Sequence, residues 1–131
     1  MNDVYLRSKD KQSLIDDLKG LQLNGKNVGF VIKDENDNDI FSSSGDGFVL
    51  DYAGVLEDSP STYDEEGVEL TPTTYLSGVH LNLRLHGLPY KVGALIHYDT
   101  YGDELDAMLK TTIFANGTKI VNPVSPKRVW A

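Results

Sequence analysis

The sequence predicts an α+β fold in which a mostly antiparallel β-sheet carries one N-terminal helix and a second, short helix. Three observations lead to it: an alternating strand near the middle of the chain, a helical apolar stripe near the N-terminus, and short apolar runs separated by turn dipeptides. In the strand, apolar and polar side chains take alternate positions, so one face is apolar and the other polar. The apolar positions are Val79, Leu81, Leu83 and Leu85, and the polar ones are His80, Asn82, Arg84 and His86.

The chain is expected to open with a short strand at residues 4–7. Ser8 is then predicted to cap a helix over residues 9–19, which Gly20 ends. This helix has an apolar stripe on one side, formed by Leu14, Ile15 and Leu18.

Strands are predicted at residues 28–32 and 48–56. The acidic segment 34–39 lies between two apolar runs, which is typical of a hairpin loop. Residues 57–67 are expected to form a long acidic loop, because Pro60 and several charged residues interrupt any regular pattern there.

Beyond the alternating strand, residues 90–98 predict a further strand, and the longest apolar run of the chain, 92–96, has the length of a core strand. Thr100 is expected to cap a short helix. The apolar face of that helix consists of Leu105, Met108 and Leu109. Residues 111–121 predict a hairpin, because β-branched residues flank an Asn-Gly dipeptide.

The bulk composition predicts one globular domain over residues 1–131, with residues 122–131 as an extended, proline-containing tail. Hydrophobic residues make up 40% and charged residues 24% of the chain, which excludes a disordered class. The absence of cysteine excludes disulfides, thiolate metal sites and cysteine nucleophiles.

The charge balance and hydropathy limit the partners. The net charge of −8 repels phosphate backbones, so nucleic-acid binding is not expected. No signal-peptide pattern is seen, and no apolar stretch approaches the roughly 20 residues that span a bilayer, so membrane insertion is not expected either.

Two segments invite a metal interpretation. Residues 34–39 are rich in Asp, but the spacing fails the EF-hand pattern, because Gly45 stands where the closing Glu is required. His80 and His86 share a strand face, but at about 3.3 Å per residue they are too far apart to bind one metal without carboxylates from another strand or His97. A solvated hairpin tip and a polar sheet face are the favoured interpretations, and no metal or cofactor is expected.

Catalytic motifs are not found in the sequence: nucleophile-elbow and phosphate-binding glycine patterns are both missing. An enzyme would need paired acids in a cleft, for example Asp99 or Asp103 near His97. The chain has seven tyrosines, which could line a sugar-binding or protein-binding surface, although partly buried core positions are the favoured interpretation. Five of them are Tyr63, Tyr75, Tyr90, Tyr98 and Tyr101.

The C-terminal tail holds the only tryptophan, Trp130. An exposed tryptophan would leave a large apolar surface in water, so this side chain is expected to dock, either on its own sheet or in a partner. Arg128, Val129 and Trp130 are therefore predicted to bind a partner. The polar face of the alternating strand completes the predicted surface, with His80, Asn82, Arg84 and His86.

Three segments, at both ends of the chain and in the alternating strand, form a recognisable set: Tyr5-Leu6-Arg7-Ser8, His80-Leu81-Asn82-Leu83-Arg84 and Pro123-Val124-Ser125-Pro126-Lys127-Arg128-Val129-Trp130-Ala131. They resemble the corresponding segments of a group of small proteins of tailed bacteriophages and prophages. Those proteins open with Tyr-Leu-Arg, carry a His-x-Asn-Leu-Arg strand and end in Pro-x-x-Pro-x-Arg-Val-Trp/Phe-Ala. They are encoded near tail and tail-fibre genes, and they offer no catalytic residues to carry over. The resemblance implies a phage origin and a role in the tail or baseplate.

The predicted function is therefore a non-enzymatic phage structural or assembly protein, associated with the tail, baseplate or tail fibre and located in the virion or host cytoplasm. Its partners would be tail or baseplate proteins, or further copies of itself. One alternative is an acidic phage protein that inhibits a host defence or nucleic-acid enzyme by mimicking DNA. Another is a carbohydrate-binding or carbohydrate-active protein.

Overall fold

A computed structural model describes residues 2–121, apart from the side chains of residues 57–59. It confirms the predicted α+β class, with mostly antiparallel sheet, an N-terminal helix and a short second helix. The tail at residues 122–131 lies outside the described residues, and with it the predicted surface formed by Arg128, Val129 and Trp130.

The helices of the described segment are α1 (Lys11–Leu18) and α2 (Tyr101–Thr111). Its strands, in chain order, are β1 (Asn2–Ser8), β2 (Gln22–Leu23), β3 (Lys26–Asn27), β4 (Val31–Lys33), β5 (Asp39–Phe41), β6 (Ser44–Gly45), β7 (Phe48–Gly54), β8 (Glu57–Ser59), β9 (Thr62–Tyr63), β10 (Glu69–Thr71), β11 (Thr74–Tyr75), β12 (Val79–Leu85), β13 (Pro89–Val92), β14 (Leu95–Tyr98) and β15 (Lys119–Ile120).

The central element is β12, which is the alternating strand of the sequence. It pairs antiparallel with β1 on one side and with β7 on the other, in a five-stranded sheet of order β15-β1-β12-β7-β6. Its apolar face is buried, with Leu81, Leu83 and Leu85 fully shielded from solvent. Both helices pack on this face. Their buried leucines belong to the same core cluster as those of β12: Leu14, Leu18, Leu105 and Leu109.

The start of α1 differs from the prediction. Ser8 is the last residue of β1, and its buried hydroxyl has no hydrogen-bond partner. The cap is Asp10, whose side chain accepts a hydrogen bond of 2.7 Å from the backbone N–H of Ser13. Both residue types are good caps, but pairing with Val79 keeps Ser8 in the sheet. Gly20 follows the helix with φ of 77°, as its predicted role as a helix-ending glycine requires.

Asp17 joins α1 to the sheet edge. One of its carboxylate oxygens accepts hydrogen bonds from the backbone and side-chain nitrogens of Asn116, at 2.9 and 3.0 Å. The other accepts from the backbone nitrogen and hydroxyl of Thr118, at 3.1 and 2.5 Å. Burial alone would raise the pKa of Asp17, but these hydrogen bonds hold it below its usual value.

The hairpin predicted for residues 111–121 is wrong. Helix α2 continues to Thr111, and β15 pairs with β1 instead of with a preceding arm. The Asn-Gly dipeptide does form a turn, with Gly117 at φ of 83°, but Asp17 binds that turn from the helix side. A tertiary hydrogen-bond acceptor thus overrides the local hairpin signal.

Two further predictions are wrong, because a segment predicted as one strand and a segment predicted as a loop instead supply strands to two-stranded ribbons. Residues 90–98 form β13 and β14 around a turn with Gly93 at φ of 63°, and not one strand. The expected loop 57–67 contains β8 and β9, which pair with β11 and β10. The apolar run 92–96 is therefore the exposed end of a hairpin, and not a core strand.

The turn between β9 and β10 repeats the turn of the acidic segment 34–39. Asp34 accepts hydrogen bonds from the backbone N–H groups two and four residues further on, and Asp64 does the same. In both turns the fourth residue has positive φ, at Asp37 and at Gly67. Segment 34–39 therefore forms the predicted hairpin tip, and its Asp residues serve turn geometry.

Replacing Asp17 by Asn tests the anchoring of the sheet edge. The amide retains one acceptor oxygen but presents N–H groups to donors, so we expect a loss of about 2–3 kcal/mol in the free energy of unfolding. Urea denaturation at neutral pH measures this loss. The matched control is Asp16→Asn, because Asp16 is exposed and bonds only the Gln12 side chain in the described structure. Equal stability of the two variants would contradict the role of Asp17.

Candidate functional site

The face of the main sheet opposite the helices is polar, and we call it the open face. Three cross-strand pairs between β1 and β12 lie on it: Asp3 with Arg84, Tyr5 with Asn82, and Arg7 with His80. Asp51 of β7 lies beside Asn82 on the other side. The period-two pattern places them there, because the intervening residues of each strand point into the core.

The open face brings together three of the four predicted strand residues. Arg84 is half-buried and forms an ion pair with Asp3, with an N–O distance of 3.0 Å. The pKa of Arg84 is raised, first by this hydrogen-bonded partner. His86 lies beyond the end of β12, where its ring Nδ1 is 3.0 Å from the carbonyl oxygen of Gly87. It belongs to the junction with α2, and the structure separates it from the row of three.

His80 and Asn82 are unusually shielded for an outward-facing row, at 7% and 5% exposure. Burial and the nearby Arg7 guanidinium lower the pKa of His80, while a hydrogen bond to the Gly54 backbone opposes them. Its ring Nδ1 is buried and has no hydrogen-bond partner. His80 is therefore neutral near pH 7, which suits a structural residue of the sheet.

Most of the exposed large apolar side chains of the described residues lie on two ribbons that leave the main sheet. The first, which we call the long arm, comprises residues 55–76 and continues the β7–β12 pair past Gly54 and Gly78. It is held by the β8–β11 and β9–β10 pairings, and by hydrogen bonds between the hydroxyls of Thr62 and Thr71 and of Ser61 and Thr73. Its exposed large side chains are Val55, Tyr63, Val68, Leu70 and Tyr75.

The second ribbon, the short arm, comprises residues 89–98. Tyr90 stacks on His97 across the ribbon, with ring centroids 5.5 Å apart. All eight strand residues of this arm are exposed, on both of its faces. The large apolar ones are Tyr90, Val92, Leu95, Ile96 and Tyr98, of which Tyr98 is 68% exposed.

The base of the short arm is held by hydrogen bonds and close backbone packing, whereas the strand residues of the arm are exposed. Asp99 accepts hydrogen bonds from the backbone N–H groups of Leu88 and Tyr101, at 2.7 and 2.9 Å. A Cβ on Gly87 would collide with the carbonyl of Asp99, and one on Gly102 would lie 2.7 Å from the His86 carbonyl carbon. The backbones at the arm's root therefore pack closer than any side chain would permit.

The tyrosine prediction is wrong for most of the set. Tyr101 is partly buried against the core, as expected. The other four are exposed and stand on the two arms: Tyr63, Tyr75, Tyr90 and Tyr98. The arms could have been found from the sequence, because Asp64 to Gly67 repeats the Asp-x-x turn pattern of the first acidic loop, and Gly93 interrupts the long apolar run.

The three residues considered for a catalytic cleft each have another partner. Asp99 holds the short arm, Asp103 accepts a hydrogen bond from the Asn2 amide, and His97 stacks on Tyr90. Within residues 2–121, no three His, Asp or Glu side chains are grouped as metal ligands.

A cleft of about 590 Å³ lies between α1 and the β4–β5 hairpin. It is lined by both charge types, including Lys11, Lys33 and Asp39. Asp39 bridges Lys33 and Lys19, with N–O distances of 2.8 Å to each. Both of these lysines therefore contact an acidic side chain, and Lys11 lies over the Tyr52 ring, 5.2 Å from its centroid.

No family model, no curated protein and no solved structure matches the chain. In the described part of the chain, neither helix is both long and apolar enough to cross a bilayer.

The burial of neutral His80 predicts a pH dependence of stability. Because its pKa is lowered in the folded chain, the unfolded chain binds a proton first as the pH falls through about 6.5. The histidine's contribution is therefore complete above that pH and decreases below it. In urea denaturation between about pH 7.5 and 5.5, His80→Gln should lose less stability than the native chain. His97→Gln, on the exposed short arm, is the control and should follow the native profile; identical slopes for all three proteins would refute the prediction.

Proposed function

We propose that this chain is a non-enzymatic bacteriophage structural or assembly protein that acts in the tail, baseplate or tail fibre through protein–protein contacts. The observation that carries the proposal is the pair of arms, which expose ten large apolar side chains while the sheet and helices complete a core without them. The resemblance of the two ends and of β12 to small phage proteins supports the phage assignment.

The physical reason is that exposed apolar side chains have an unfavourable free energy in water. An isolated two-stranded ribbon is at best marginally stable, and exposed aromatic and branched side chains gain free energy when a partner covers them. Tyrosine is well suited to such contacts, because it offers a large rigid apolar surface and a polar tip. Ribbons that present tyrosines on a firmly packed base therefore fit docking elements better than they fit catalytic loops.

The C-terminal tail is part of the same proposal. Arg128, Val129 and Trp130 would bind a partner together with the open face around His80, Asn82 and Arg84, whose polar groups give specificity and not bulk affinity. The described chain ends at the sheet edge, where the backbone N–H of Val121 donates to the carbonyl of Tyr5 at 2.8 Å. Val121, the last described residue before the tail, is thus hydrogen-bonded to β1, the strand that carries Tyr5 of the open face.

The DNA-mimic alternative has one specific observation in its favour, the six acidic residues of the long arm: Glu57, Asp58, Asp64, Glu65, Glu66 and Glu69. A mimic needs a continuous carboxylate surface that follows a phosphate backbone. Here Tyr63, Val68 and Leu70 interrupt the acids and are themselves exposed. This mixture favours a protein interface, and a mimic would instead bind a basic host protein in a salt-sensitive manner.

Virion proteomics and gene deletion test the proposal. We expect peptides of this chain in gradient-purified particles at a fixed ratio to tail proteins, or else defective tails when its gene is deleted. The lysate before purification controls for abundance, and a soluble phage enzyme controls for contamination. A deletion phage with normal tails and normal titre, together with no peptides in the virion, would contradict the proposal and favour a host-directed inhibitor.

A further inference from the structure

The two arms leave the main sheet at opposite ends of its central strand. The long arm joins the sheet where His80 pairs with Gly54, at the beginning of β12. The short arm follows the end of β12, where Leu85 pairs with Phe48. His80 and Leu85 are five residues apart along the strand, which separates the two attachment points by about 17 Å at 3.3 Å per residue. One molecule therefore carries different apolar ribbons at its two poles.

The arms also have opposite charge. The long arm has six acidic residues and no Lys or Arg. The short arm has Lys91 and no acidic residue, although the whole chain has a net charge of −8. Two copies of this acidic chain repel each other over most of their surfaces. The short arm is an exception, because its lysine attracts an acidic segment such as the long arm of another copy.

The apolar surfaces of the arms match in extent. Each arm exposes five large apolar side chains, among them Leu70 at 63% and Leu95 at 67%. At roughly 100 Å² per side chain, on the scale of the 150–250 Å² that an aromatic can bury, each arm offers on the order of 500 Å². The short-arm side chains lie on both faces of that ribbon, so a contact must engage both faces to cover them all. Full coverage of both arms would bury on the order of 1,000 Å², which is the lower limit for a specific interface.

We propose that the short arm of one copy docks on the long arm of a second copy, so that the chain associates head to tail. Such a contact joins two different surfaces, and an open assembly retains a free long arm at one end and a free short arm at the other. Heterologous contacts of this type close into rings or continue as filaments, and they do not stop at a dimer. The inference rests on the proposed function only in treating the arms as docking elements.

Complementation between two variants of the full chain tests the contact. The first variant, Ile96→Thr with Tyr98→Thr, disables the short arm. The second, Leu70→Thr with Tyr75→Thr, disables the long arm. Threonine favours strands, so both ribbons retain their backbone pairing while losing apolar surface. Because the four side chains are exposed, thermal unfolding followed by circular dichroism should be unchanged, and this verifies that the variants fold.

Analytical ultracentrifugation over a range of concentrations supplies the readout. We expect a series of oligomers for the native chain, and self-association weakened roughly a hundredfold for each double variant alone. The equimolar mixture should form a 1:1 dimer and nothing larger, because only one productive pair of arms remains. Ile113→Thr is the matched control: Ile113 is 96% exposed but lies outside both arms, and its replacement should leave the series intact.

Other results would overturn the proposal. A native chain that stays monomeric at every concentration rules out the contact. A long-arm variant that still dimerises alone, with no heterodimer in the mixture, shows that short arms pair with each other in a two-fold contact. Lys91→Glu should weaken association more than Lys26→Glu, which changes the net charge equally from an exposed position outside the arms; equal effects would remove the charge argument.

The outcome is independent of the test of function. Oligomers of the native chain with no role in the virion would leave the contact standing and remove the proposed function. If the protein is found in the virion but the native chain and the variant mixture are both monomeric, the proposed function stands and the contact between copies is refuted. The arms would then bind other tail proteins.

Discussion

Antiparallel pairing of β12 on both sides is the interaction on which the rest of the structure depends. It places three leucines of one strand at the centre of the core, where helix α1 and helix α2 cover them. The same alternation necessarily directs His80, Asn82 and Arg84 to the other face. A strand that is central in the sheet therefore defines both the hydrophobic core and the open polar face.

The two arms follow from what happens at the ends of this strand. At one end β7 and β12 continue beyond the sheet as a ribbon, and at the other the chain turns through Gly87 into the short arm. Neither ribbon contributes to the core, so backbone pairing and short-range side-chain contacts hold each of them together. Their local stability should be low compared with that of the sheet. The close backbone packing of Gly87 and Gly102 nevertheless fixes where the short arm begins.

The sequence was informative where burial and local geometry agree. The period-two pattern of β12 and the stripe of α1 each have one apolar side, and each is found as predicted. The sequence misled where apolar residues are exposed, because an apolar run such as 92–96 resembles a core strand when only its composition is considered. Its central Gly93, with positive φ, is the signal of a hairpin turn.

The candidate site shows the same division. The row of His80, Asn82 and Arg84 could be predicted from alternation alone, while His86 leaves the row because β12 ends one residue earlier. The anchoring of the Asn116 turn by Asp17 spans about a hundred residues of sequence, and no local pattern encodes such a pairing. The exposure of the tyrosines also could not be predicted from the local sequence, since it depends on which strands pair within the main sheet and which pair outside it.

Hydrogen–deuterium exchange of the native chain, followed by mass spectrometry at low and high protein concentration, tests most directly whether the arms are docking elements. In dilute solution, amides of β8–β11 and β13–β14 should exchange much faster than those of β12. At high concentration, both arms should gain protection together, while β12 stays unchanged. Arms that are as protected as β12 in dilute solution, or that gain no protection in any assembled state, would contradict their role as the interaction surfaces of this protein.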